Sequence, residues 1–310
     1  MTTSGEMPYR TLGKTGERVS LIGIGGFHIG SQEDERESIA IIRTAIDNGI
    51  NFLDNCWSYH AGVSERRMGR ALKDGYRSRA FLMTKIDARA RAVAESQIDD
   101  CLRRLDVETI DLLQIHEVLR MEDPDWVFAP DGAMAAVLAA KRAGKVRYVG
   151  FTGHKDPAVH LNMLRVAAEH GFAFDAVQMP LSLFDYNYAD HSFERQVLPA
   201  LVDGGIGVLA MKTLASGRIP NSGAASATEC LHYAMSLPTS VVITGCDSLA
   251  VLQQAIDAAR TFRPLGAAEM AALRAKAAGP GADGALEPFK TTTQHDGTTM
   301  YPEWMWGARA

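Results

Sequence analysis

A chain of 310 residues can bury one large core or two smaller ones, and no linker-like stretch divides its periodic segments. Hydrophobic content of 46% is that of a globular protein, and 32 Lys+Arg against 37 Asp+Glu give a formal charge of -5, which excludes global attraction to nucleic acid or anionic lipid. No run of 18 apolar residues marks a membrane span, MTTSGEMPYRTLG lacks the features of a signal peptide, and Cys56, Cys101, Cys230 and Cys246 are too scattered for a zinc, iron-sulphur or disulfide framework.

The first element is TLGKTGERVS, where Lys14-Thr15-Gly16-Glu17 reads as a hairpin turn that we place as a flap over the bottom of the sheet that follows. Short apolar runs then alternate with amphipathic segments. Strands are predicted at Leu21–Ile24, Ile50–Leu53, Phe81–Thr84, Ile110–Ile115, Val146–Val149, Phe174–Gln178, Gly207–Ala210 and Val241–Thr244. Most lack polar alternation, as parallel strands covered on both faces do. Helices are predicted at Asp34–Asn48, Ser64–Lys73, Ala90–Leu105, Gly132–Ala143, Pro157–His170, Phe193–Asp203, Thr228–Ser236 and Leu249–Arg260. Asp156-Pro157 supplies a cap followed by proline at the first helical position, and Gly49, Gly144 and Gly171 suit left-handed C-caps.

Eight strand-helix units fit an α/β fold of the (β/α)8 TIM-barrel type better than an open sheet. LIGIGGFHIG also lacks the GxGxxG spacing that an open dinucleotide-binding sheet would want. A single domain over residues 1–310 is expected, with the barrel at about 20–260 and a C-terminal extension at about 261–310. That extension holds an Ala-rich helix, Ala267–Ala278, a GPGADGA break, and LEPFKTTTQHDGTTMYPEWMWG, whose aromatic content suits packing over the barrel opening.

Asp54, Tyr59, Lys85 and His116 fall at or just past the ends of three successive strands, the face on which barrels place chemistry. A phenol titrates near 10, so it is a reluctant acid unless an ammonium stabilises its phenolate. Lys85 can serve if Asp54 holds it, and His116 can orient a carbonyl oxygen. Singly, each residue has a plainer account: a solvent-facing lysine, a packing tyrosine, a structural histidine, a capping aspartate. Together they point to an active site.

The chain resembles the aldo-keto reductase family over residues 8–260. The resemblance rests on Asp54 with Tyr59 five residues on, Gly62-Val63-Ser64-Glu65, Met83-Thr84-Lys85 and Asp111-Leu112-Leu113-Gln114-Ile115-His116. Val149-Gly150-Phe151-Thr152, Val177-Gln178 and the run from Gly207 to Lys212 extend it. It implies NAD(P)H-dependent reduction of an aldehyde or ketone to an alcohol, with Tyr59 as general acid, Lys85 and Asp54 tuning it, and His116 orienting the substrate. The implied cofactor-binding set is Gly25, Thr152, His154, Gln178, Met211, Lys212, Thr213, Leu214, Gly245, Asp247 and Gln254. NADP(H) is the family default. NAD(H) or dual use stays open, because Val251 and Ala255 stand where an arginine and an asparagine would meet a 2'-phosphate, and Asp247 would repel one. Gly153 also replaces the usual amide side chain beside Thr152.

Phe27, His28, Trp57, His60, Trp126 and Phe128 are expected to line the substrate pocket. The partner expected is a small aldehyde or ketone, with no nucleic acid or membrane, in a cytoplasmic protein of undetermined oligomeric state. Three other readings of the residues are a metal-dependent hydrolase built on His28, His60, His116, His154 and Asp54, a Schiff-base lyase on Lys85, and a slow nucleotide-sensing subunit. No metal is assigned.

Overall fold

A computed structural model describes residues 5–307. The first four residues of the segment read above as lacking a leader, and the last three of the extension, lie outside the described residues.

Two short strands, β1 (Tyr9–Thr11) and β2 (Arg18–Ser20), pair antiparallel as the expected flap. Eight parallel strands follow: β3 (Ile22–Gly25), β4 (Phe52–Asp54), β5 (Phe81–Ile86), β6 (Ile110–Ile115), β7 (Val146–Thr152), β8 (Ala176–Pro180), β9 (Gly207–Met211) and β10 (Val241–Gly245). They close into a barrel in which β10 pairs with β3, so the sheet has no free edge. The chain thus has the (β/α)8 fold that its alternation of apolar runs predicts.

Strand alternation sorts the core into two parts. Phe52, Phe81, Met83, Leu112, Ala176, Leu209 and Val241 fill the barrel, joined from below by Leu12 and Val19 of the flap. Tyr148 closes the same end, donating to Glu17 at 3.0 Å. Outward residues such as Leu53, Leu82, Leu113 and Val177 pack with Ile42, Ile98, Val137 and Met163 of the surrounding helices. At Gly49 and Gly144 the backbone is left-handed, with φ of 90° and 76°, so the chain leaves the helix and turns into the next strand where a side chain would be strained.

Several predicted boundaries move for physical reasons. The seventh strand starts as predicted at Gly207, but β7 runs on through Thr152 and β5 through Ile86, because both keep pairing to the mouth of the barrel. β4 starts only at Phe52 and β8 at Ala176, where register partners become available. The helix expected at Phe193–Asp203 is two pieces, Phe193–Gln196 and Leu198–Gly204. Pro199 has no N–H for the Arg195 carbonyl, which breaks the ladder there.

The extension folds back across the mouth. After the helix Ala267–Lys276, three short turns, Pro288–Thr291, Gly297–Met300 and Glu303–Trp306, are tied to the barrel loops. Lys290 is buried between Asp185 at 2.6 Å and Glu287 at 2.9 Å. The backbone N–H groups of Arg89 and Ala90 donate to Met305, and the Gln97 amide donates to the Trp304 carbonyl at 2.8 Å. Among the described residues no helix is long and apolar enough to cross a membrane, and all four cysteines are buried and free.

Candidate active site

The inward parity that buries Phe52 and Met83 deeper in the barrel brings Asp54 and Lys85 to its open end. The Lys85 ammonium is ion-paired with Asp54, donates to the Asn55 carbonyl at 2.8 Å, and lies 3.4 Å from the Tyr59 hydroxyl. The second Asp54 oxygen accepts from the Gln178 amide at 3.1 Å. Lys85 and Asp54 are both buried, so each is held by its partner rather than by water.

Tyr59 opens a turn, Tyr59–Gly62, whose next two residues, His60 and Ala61, are left-handed with φ of 50° and 52°. Such backbone costs about 1–3 kcal/mol per residue and persists only where surroundings hold it. Here the His60 ring donates to the Phe27 carbonyl at 2.8 Å and lies on the Phe27 ring at 4.8 Å. Phe27 and His116 meet Tyr59 edge-to-face at 5.5 and 5.9 Å, which fixes the phenol between them. The four sequence-identified residues do converge on one cavity of about 710 Å³, within the usual range for a small-molecule site.

The electrostatics depart from expectation at Tyr59. Burial, with Asp54 next, holds its hydroxyl well above the usual phenol range. Desolvation first, and then the Asp54 charge, outweigh the pull of the ammonium close by. His116 moves the other way. Burial pushes the ring down, but Cys56 and Asp87 beside Nδ1 outweigh it and raise it to about 10.

Of the expected cofactor positions, Gly25, Thr152, His154, Gln178, Met211, Lys212, Thr213, Leu214, Gly245 and Asp247 line the cavity. Gln254 does not, and is exposed on the outer helix face. Thr152 and Gln178 are partners in the β7–β8 register, and Thr152 Oγ1 and Gln178 Oε1 are both buried with no hydrogen-bond partner. A hydroxyl and an amide oxygen left open side by side suit a primary carboxamide, so these residues fit a nicotinamide. His154 is engaged elsewhere. It is paired with Asp296 of the extension at 3.3 Å, and burial pushes it down to about 3, so it is neutral. Lys14 lies at the opposite end, against Gly205.

The pocket lining is corrected at three positions. Phe27, His28 and His60 do line it. Trp57 instead donates to Asp100 at 3.1 Å beneath Arg104, Trp126 packs on Trp306, and Phe128 is buried against Phe172 and Phe174. The extension replaces them with Met300, Tyr301 and Trp304.

Three site residues escaped the sequence reading. Asp87 is bonded to His116 Nδ1 at 2.7 Å. Arg89, fully buried, donates to the His116 and Glu117 carbonyls at 3.0 and 2.9 Å and pairs with Asp123. Glu117, left-handed at φ 49°, accepts from the Gly297 and Thr298 amides at 3.0 and 2.6 Å, fastening the extension beside His116. The only available signal was Lys85-Ile86-Asp87, whose alternation puts Asp87 on the side of Lys85.

The model of the aldo/keto reductase family matches residues 21–229. The chain is 30% identical over 226 residues to L-galactose dehydrogenase of Arabidopsis thaliana, spanning 69% of this chain and 67% of that protein. It is 29% identical over 224 residues to a probable voltage-gated potassium channel subunit beta of the same plant, spanning 68% and 65%. Among solved structures, the holo form of the aldo-keto reductase AKR11C1 from Bacillus halodurans superposes with a TM-score of 0.74 at 22% identity, over 87% of this chain and 96% of that one.

Proposed function

Because the chain belongs to the aldo-keto reductase family, we propose that it reduces an aldehyde or ketone to an alcohol with NAD(P)H, Tyr59 being the proton donor. The observation that carries this reading is the Tyr59 hydroxyl, 3.4 Å from Lys85, sharing one cavity with the open Thr152 and Gln178 oxygens. When bound, the dinucleotide supplies the hydride. Thr152 and Gln178 would hold its carboxamide, and Met211 offers the ring a polarizable platform.

The remaining steps belong to the chain's own side chains. Tyr59 and His116 flank the space into which a carbonyl oxygen would be directed. The phenol is held protonated by burial, so it keeps its hydrogen until charge gathers on the substrate oxygen. At that moment Lys85 faces a forming phenolate and stabilises it. Met300, Tyr301 and Trp304 close one side of the cavity and limit water.

Fluorescence titration with NADPH and NADH, followed by reduction of a panel of aldehydes and ketones, tests the class. Tyr59→Phe should bind nucleotide within about twofold of the parent while losing roughly 10²–10⁴-fold in turnover. Equal turnover in the two proteins rejects Tyr59 as the acid.

A slow nucleotide-sensing subunit is the second reading, favoured by Gly153 and Val251 standing where side chains for the carboxamide and the 2'-phosphate are expected. Nucleotide binding with no turnover on any carbonyl of the panel would select it. A metal site on His28, His60, His116, His154 and Asp54 has less support, because their partners differ: His60 takes Phe27, His116 takes Asp87, His154 takes Asp296 and Asp54 takes Lys85.

A further inference from the structure

We propose that Asp87 is a positioning residue that makes His116 a cationic hydrogen-bond donor to the substrate oxygen. This rests on the carbonyl-reduction reading of the same site.

His116 Nδ1 lies 2.7 Å from Asp87 Oδ1 and 3.2 Å from Cys56 Sγ. A carboxylate is an acceptor only, so Nδ1 must carry a hydrogen, or two lone pairs would face each other. A neutral ring with its hydrogen on Nδ1 has a bare Nε2, which is an acceptor. A carbonyl oxygen is an acceptor too. His116 can therefore donate to the substrate only if Nε2 carries a second hydrogen, which makes the ring an imidazolium.

Charge pairing in the barrel mouth requires the same state. Asp87 is fully buried, and among the described residues no backbone amide donates to its carboxylate, so it needs a cation. The neighbouring charges are already paired. Lys85 faces Asp54, Arg89 faces Asp123, and Glu117 is spent on the amides of Gly297 and Thr298. Among the described residues His116 is the one cationic partner within ion-pair distance of Asp87. The other groups near the ring bring no positive charge: Tyr59 and Cys56 have no cationic form, and burial holds His154 neutral.

The consequence falls on Tyr59. Asp54 offsets part of the Lys85 charge, so a second positive charge beside the reacting oxygen adds to what lets a buried phenol release its hydrogen. His116, whose ring meets the phenol edge-to-face at 5.9 Å, supplies that charge. As the hydride reaches the carbonyl carbon and the oxygen becomes an alkoxide, the imidazolium stabilises it through Nε2–H, and Tyr59 delivers the proton.

The test is nitrogen NMR of the full-length protein labelled in histidine, with His116 assigned by difference from His116→Gln. Both ring nitrogens of His116 should be protonated at neutral pH in the parent, and Asp87→Asn should convert the ring to a singly protonated form. In kcat/KM profiles the alkaline limb of Asp87→Asn should move down by about 1–3 pH units, with a loss of roughly a hundredfold. Asp87→Glu should recover part of both. A parent His116 carrying one proton at neutral pH overturns the proposal, whatever the variants do, and so does an unchanged alkaline limb in Asp87→Asn. An imidazolium signal with no turnover on any carbonyl would instead fell the reduction reading.

Discussion

Replacing Lys85 by methionine tests whether the ion pair beneath Tyr59 organises the site. The two side chains are 1% and 5% exposed, so the methionine fills the stem's volume while stranding the Asp54 carboxylate. What remains to Asp54 is the Gln178 amide at 3.1 Å. Breaking a buried pair from one side costs about 3–5 kcal/mol, most of it the unpaired charge rather than the lost attraction. Adding Asp54→Asn removes that charge and keeps an oxygen for Gln178. The double variant should therefore recover to within about 1–2 kcal/mol of the parent while staying inactive. Urea unfolding near neutral pH, followed by circular dichroism and tryptophan fluorescence, measures both if the two probes coincide. A double variant no more stable than Lys85→Met would refute the stranded-charge argument.

Three further expectations concern other parts of the fold. His160, buried among Phe151 and Phe193, is pushed down to about 3 by burial. The unfolded chain takes up that proton near pH 6.5 and the folded one does not, so stability should fall as pH drops below 6.5, by about 2 kcal/mol per such histidine at about pH 5. His160→Leu should flatten the melting temperature's dependence on pH in that window, and an unchanged slope would show that the ring is not held neutral. Val251 lines the cavity where a 2'-phosphate is expected; Val251→Arg should tighten NADPH about tenfold and NADH hardly at all, and equal gains would place the adenosine elsewhere. Glu117→Gln weakens the charge-assisted bonds to Gly297 and Thr298. Limited proteolysis should then cut the extension faster and KM should rise, whereas unchanged cleavage would deny Glu117 its fastening role.

The barrel was legible because its signal is local and repeated. Apolar runs such as Phe81–Ile86 and Ile110–Ile115 are buried on both faces, so they read as mainly apolar without alternation, although Thr84, Asp111 and Gln114 lie within them. The same rule exposed Lys85 and His116, polar residues at the ends of those runs, and Asp54 at the end of another. Asp87, Arg89 and Glu117 were not legible. They sit in loops where no period applies, and their roles depend on partners distant in sequence, such as Glu117 with Gly297. Trp57 and Trp126 were misplaced for a related reason: an aromatic near a strand end packs on whichever surface reaches it, and here Arg104 and Trp306 do.

The sequence by itself determined the closed parallel barrel and the face on which its polar residues gather, because alternation and helix caps are properties of neighbouring residues. Tertiary structure alone decided the proton affinities of the site and which residues of the extension roof it. Proton affinities at Tyr59 and His116 follow from burial and from which carboxylate is already paired, and the lid is made by a segment nearly two hundred residues beyond the strand end it covers. Both are outcomes of packing that no local pattern encodes.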